Sequence, residues 1–147
     1  MSFTGPMEDR LAIRELIEHY ADAVMQRDPQ SWGEVWAEDA QWSLPEFEGL
    51  EMFRGRDNIV QGWIDAMGDY PGLVYIATPG AINVDGDSAS ARTYTSEIFP
   101  DGQGNTLRVR GQYDDELRKR DGQWLFTSRI YKVVRMDKEP ATAADEA

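Results

Sequence analysis

Two hydrophobic patterns divide the chain. Up to Met67 the apolar residues recur at helical spacing; beyond it they alternate along long runs. Ile13, Leu16, Ile17, Tyr20, Ala21 and Val24 share one face of a helix that runs to about Arg27. Pro6, Glu8 and Asp9 suit its N-terminus, and Asp28-Pro29 stops it. A short second helix follows, with Trp32, Val35 and Trp36 as its apolar side, and then a short strand over residues 39–44. Residues 45–55 read as a loop carrying Phe47, Leu50, Met52 and Phe53. Such a loop either walls a pocket as a lid or caps the core. A third helix over residues 56–67 turns Ile59, Val60, Trp63, Ile64 and Met67 inward, and Gly68, Pro71 and Gly72 end it.

From residue 73 the pattern predicts an antiparallel sheet. Its first strand covers residues 73–84, with a bulge at Pro79-Gly80. Three long strands follow over residues 87–99, 105–120 and 123–136. The turns are Asp85-Gly86, Asp101 to Gly104, and Asp121-Gly122, and Asp-Gly between β-rich runs is a strong hairpin signal. Strands this long must twist and curl, and the helices fill the concave face. The expected architecture is therefore α+β: a curved antiparallel sheet wrapped around three N-terminal helices, a cone-shaped α+β barrel with a pocket.

Turn lengths set the register. A loop of residues 101–104 places Pro100 opposite Asn105, Glu97 opposite Arg108, Thr95 opposite Arg110 and Thr93 opposite Gln112. A two-residue loop at Asp121-Gly122 places Gln112 opposite Tyr131 and Asp114 opposite Arg129. Thr93, Thr95, Glu97, Arg108, Arg110, Gln112, Asp114, Arg129 and Tyr131 are expected on the concave face. Tyr94, Ile98, Tyr113, Leu117, Trp124, Phe126 and Ile130 are expected on the outer face. A single bulge would exchange the faces of part of a strand.

Composition narrows the function. The chain of 147 residues is one domain over residues 1–136, and the Ala/Glu/Asp-rich residues 137–147 are expected to be a disordered acidic tail. A net charge of -12 disfavours nucleic-acid and anionic-membrane partners. There is no cysteine, and the one histidine, His19, has no metal-ligand cluster around it. No cofactor is expected. Met1 to Asp9 lack the apolar core of a signal peptide and no run has membrane-helix length, so a soluble, cytoplasmic protein is the expectation.

The stretches AIRELIEHYADAV, WAEDAQW, GRDNI, NVDGDSASARTY and GQYDDELRKRDGQW, in this order and spacing, resemble the SnoaL-like branch of the nuclear transport factor 2-like superfamily. The resemblance covers roughly residues 7–136. That superfamily includes scytalone dehydratase, bile acid 7α-dehydratase, hexachlorocyclohexane dehydrochlorinase, ketosteroid isomerase, limonene epoxide hydrolase, polyketide cyclases and non-catalytic dioxygenase subunits, so fold alone names no activity. The dehydratase-like members use an Asp/His dyad. The resemblance places Met25 and Tyr75 at those two positions. It also matches Tyr20 to a substrate-polarising tyrosine and Trp42 to a pocket tryptophan.

The expected site is a Tyr/Arg pocket. Tyr20, Tyr75, Arg108 and Arg110 are its candidate catalytic groups, an arginine-tyrosine set suited to stabilising an enolate, phenolate or carboxylate. A tyrosine beside arginine would have a lowered pKa and serve as acid or base. Met25, Trp42, Phe53, Trp63, Thr95, Glu97, Gln112, Arg129 and Tyr131 are the candidate substrate-binding residues. The competing reading pairs the arginines with Glu97 and Asp114 as plain salt bridges. Two functions follow: a cofactor-independent lyase or isomerase acting on a small aromatic or polycyclic substrate, or a non-catalytic binding protein or partner subunit. A homodimer or higher homo-oligomer through the apolar outer face is also expected.

Overall fold

The computed structural model describes residues 2–140. In chain order the elements are α1 (Met7–Gln26), α2 (Pro29–Gly33), β1 (Trp36–Ser43), β2 (Phe53–Arg54), α3 (Arg56–Met67), β3 (Val74–Asp85), β4 (Ser88–Pro100), β5 (Asn105–Arg120) and β6 (Gln123–Pro140). The strands form one curved, unclosed sheet in the order β2-β1-β6-β5-β4-β3, with the helices against its concave face. Among the described residues no helix is long and apolar enough to cross a membrane.

Local chemistry explains the element ends. Arg27 closes α1 in the left-handed region at φ 53°. The Asp28 carboxylate accepts the Ser31 N–H at 3.1 Å, and Pro29 occupies the first turn of α2. Asp9 ties α1 to the far hairpin, accepting from Trp124 Nε1 at 2.9 Å and from Lys119 Nζ at 3.1 Å. Trp36 belongs to β1 rather than to the second helix, because it pairs in parallel with Phe126 of β6. The core between helices and sheet holds the fully buried Trp32 and Trp36, and Trp63 stacks on Trp32 at 4.7 Å.

Two of the places where the sheet register departs from expectation decide the site. Five residues, 101–105, separate the paired Pro100 and Thr106, one more than the expected four. Asp101 donates its N–H to the Asn105 carbonyl, and its carboxylate accepts the N–H groups of Gln103 and Asn105. Pro100 therefore opposes Thr106, and Glu97 opposes Val109. This slip reverses β5. Val109, Gly111, Tyr113 and Asp115 face inward, whereas Arg108, Arg110, Gln112 and Asp114 face outward.

The second departure lies in β6. The Asp121-Gly122 turn has two residues, both with positive φ, and Arg120 opposes Gln123 as expected. Leu117 then opposes Phe126 but Glu116 opposes Ser128, which leaves Thr127 as a bulge. Phe126 and Arg129 consequently both point inward. Tyr113, Leu117, Trp124 and Phe126 are thus buried, not outer-face residues. The exposed apolar side chains on the outer face are fewer, Ile76, Tyr94 and Ile130 among them. β6 also runs on to Pro140, held along β5 and by an Arg108–Glu139 ion pair at 2.6 Å, so residues 137–140 are strand rather than tail. The rest of the expected tail, residues 141–147, lies outside the described residues. The expected bulge in β3 is present between Pro79 and Ile82.

Candidate functional site

A pocket opens between α1, α3, the loop after β1 and the concave face of β3–β6. It encloses about 630 Å³, open solvent at its mouth included, and nine of its lining residues are aromatic. Leu44, Phe47 and Leu50 bring the loop onto it. Turn hydrogen bonds within residues 44–50 and the Glu46 carboxylate, which accepts the Val133 N–H at 2.6 Å, hold the loop in place. The Tyr131 ring fills the space over Gly111, where any Cβ would overlap it.

Glu97 is the carboxyl that lines this pocket. It sits on β4 directly opposite Tyr75 on β3, both turned inward by the strand alternation. Among the described residues its carboxyl has no hydrogen bond and no counter-cation. Burial lifts its pKa to about 7. Proton exchange near neutral pH is therefore open to it.

Three hydroxyl and indole groups form a chain on the opposite wall. Trp42 Nε1 donates to the Tyr113 hydroxyl at 2.9 Å, and the Tyr113 and Tyr20 hydroxyls share a hydrogen bond at 3.2 Å. Either hydroxyl can donate in that bond; when Tyr113 donates, the Tyr20 proton is left for a ligand. The Tyr75 hydroxyl is buried and has no partner among the described residues. Thr95 reaches the Tyr131 hydroxyl at 3.4 Å from behind.

Under the pocket lies a buried ion pair. Arg129 Nε donates to Asp115 Oδ1 at 2.7 Å and Nη2 to Oδ2 at 3.2 Å, with both side chains fully buried. The Thr93 hydroxyl donates to Asp115 at 2.7 Å. The guanidinium also lies over the rings of Tyr113, Tyr20 and Phe126, 4.0, 4.4 and 4.3 Å from their centroids. Burial works against its charge, and Asp115 more than restores it, so its pKa stands above the usual value.

The structure thus gathers Tyr20, Trp42, Trp63, Tyr75, Glu97 and Tyr131 around one space. Thr95 and Arg129 stand behind its wall, and Phe53 stacks on the back of Trp42 at 5.5 Å. Four candidates are not in the site. Arg108, Arg110 and Gln112 face the other way because of the β4–β5 slip. Met25 is exposed on α1, its sulfur accepting the Tyr75 backbone N–H at 3.2 Å. The expected lowering of tyrosine pKa is also overturned. Burial raises Tyr20, and raises Tyr75 well above its usual value, outweighing the opposing effect of Arg129. Sequence reasoning missed Tyr113, Asp115 and Tyr70. The first two carry the right alternation, read one register step away. His19 binds Ser31 at 2.9 Å, joining α1 to α2 away from the pocket.

A curved sheet wrapped on three helices around an aromatic pocket defines the α+β cone class of the nuclear transport factor 2-like proteins. Within it, the chain belongs to the SnoaL-like domain family, matched over residues 6–130. It is 25% identical over 133 residues to the uncharacterised protein Rv2910c of Mycobacterium tuberculosis, covering 88% of each chain. Among solved structures, a candidate aromatic ring hydroxylase of Novosphingobium aromaticivorans is similar at 27% identity and TM-score 0.80, over 94% of this chain and 96% of that one. A candidate scytalone dehydratase of the same organism follows at 22% and 0.75, over 93% and 91%. The hexachlorocyclohexane dehydrochlorinase LinA-type3 of Novosphingobium barchaimii has 18% and 0.78, over 92% and 93%. The last two likenesses are of fold.

Proposed function

We propose that the protein is a cofactor-independent lyase or isomerase that moves a proton at a carbon of a small aromatic or polycyclic substrate. Glu97 is the acid/base, and Tyr20 and Tyr75 are the donors that stabilise the developing oxyanion. The observation that carries this reading is the unpartnered Glu97 carboxyl on the pocket wall. A carboxyl with a pKa near 7 is matched to carbon acid chemistry at neutral pH, where an ordinary one is too weak a base. Tyr20, bonded to Tyr113, and Tyr75, without a partner among the described residues, offer preorganised hydrogen bonds at an aromatic-lined wall. The aromatic walls suit flat apolar substrates.

Deuterium uptake tests it. Incubated in D2O with a panel of hydroxylated aromatic and polycyclic ketones, the protein is expected to exchange a substrate C–H or form product. Glu97→Gln should slow this by a factor on the order of 100 to 10,000. A second reading, a ligand-binding protein or partner subunit, is favoured by Met25 and Tyr75 at the positions where the resembled dehydratases carry their dyad. Thermal stabilisation by the panel with no exchange and no product would establish it.

A further inference from the structure

We propose that the pocket takes a ligand bearing an organic ammonium group, seated between the Glu97 carboxylate and the aromatic rings around it. This goes beyond the proton-transfer reading and does not depend on turnover. It concerns the charge that the pocket accepts.

Several observations carry it. The partly buried Glu97 carboxyl finds neither donor nor cation among the described residues, so a ligand that brings a positive charge satisfies it best. The rings of Phe47, Trp63, Tyr70, Tyr75, Phe99 and Tyr131 line the same space, and aromatic faces attract cations. Among the described residues no lysine or arginine lines the pocket. The nearest buried cation, Arg129, is neutralised by Asp115 and shielded by the rings of Tyr20 and Tyr113. That guanidinium packs on Tyr20, Tyr113 and Phe126 beneath the pocket, which leaves the six lining rings named above without a cation of their own among the described residues. The net charge of -12 also favours the approach of cations over anions.

The groups facing Glu97 leave its titration distinct. Tyr20 of α1, Tyr70 after α3, Tyr75 of β3 and Tyr131 of β6 surround it, and burial raises the pKa of all four phenols. Val109 faces it from β5, the Arg129–Asp115 pair lies beneath, and Glu46 stands near Tyr131 at the loop. A permanent cation should therefore bind more tightly as Glu97 ionises.

The probe is benzyltrimethylammonium, with its uncharged carbon isostere neopentylbenzene as reference. Fluorescence of Trp42 and Trp63 in the pocket wall reports binding of both. The cation is expected to bind about tenfold more tightly at pH 8 than at pH 6, following the ionised fraction of a group with a pKa near 7. The isostere should bind more weakly than the cation at pH 8 and gain nothing from the rise in pH. In Glu97→Gln the cation should lose about tenfold at pH 8 together with its pH dependence, while unchanged isostere binding reports an intact pocket. Equal binding of cation and isostere, binding indifferent to pH and to Glu97→Gln, or absence of cation binding would each overturn the proposal. The deuterium assay reads proton transfer on neutral ketones, so either result can fail while the other stands.

Discussion

Tyr75 and Glu97 oppose each other across β3 and β4, and neither side chain has a hydrogen-bond partner among the described residues. Such a pair is a stability cost held at the pocket wall. The Glu97 pKa rises from 4.5 to about 7 on folding. Between those values the folded protein keeps a proton that the unfolded chain has released. The associated stability is fully present below about pH 4.5 and is lost as pH rises through about 7. The shift sets an upper limit of about 3 kcal/mol on that loss, reduced by water in the pocket. Glu97→Gln should therefore melt higher than the parent at pH 8 and alongside it at pH 4.5. Parallel melting curves across that range would show that Glu97 is not desolvated.

Tyr75→Phe separates stability from function. Removing a buried hydroxyl with no partner removes a desolvation penalty, so the variant should be as stable as the parent or more stable by roughly 1 kcal/mol. If the hydroxyl binds a substrate oxyanion, exchange or turnover should fall by a factor on the order of 100. Denaturant melts and the deuterium assay on the same variant decide it. A marked loss of stability would mean that Tyr75 has a structural bond.

Much of the fold was legible because its signals are local. The helical stripe of Ile13, Ile17, Tyr20 and Val24, the bounds of α3 and β5, and the Asp121-Gly122 turn needed only spacing and turn chemistry. The site was less legible because it hangs on register. Asp101 and Asn105 bond to each other around Gly102-Gln103-Gly104, which sets Pro100 against Thr106 rather than Asn105. One residue of slip exchanged Arg110 for Tyr113 and Gly111 at the pocket. The Thr127 bulge is equally silent in sequence, since nothing local distinguishes Thr127 from a regular strand residue. Arg129, Tyr131 and Glu97 kept their faces because their strands were counted from correctly placed anchors or because the bulge offset the slip.

Arg110 shows the consequence. Its side chain stands on the exposed outer face, opposite Ser96 and Arg135. Arg110→Met should leave exchange and turnover unchanged and move stability by no more than about 0.5 kcal/mol. A tenfold loss of turnover in this variant would contradict the register between β4 and β5.

Arg129 is the arginine that the fold depends on. It is fully buried, paired to Asp115 through two hydrogen bonds, and packed on three rings; Asp115 in turn accepts from Thr93. Arg129→Met preserves length and apolar packing but leaves Asp115 buried with Thr93 alone. Breaking a buried pair from one side costs about 3–5 kcal/mol, because a charge is left without its partner. Asp115→Leu should cost a similar amount, for the stranded guanidinium. The double variant removes both charges and should recover most of the loss, since a buried ion pair contributes little net stability over apolar side chains of like volume. Denaturant melts of the four proteins give the coupling. Additive losses would mean that the two side chains act separately, and that the floor of the pocket is held by the rings rather than by the pair.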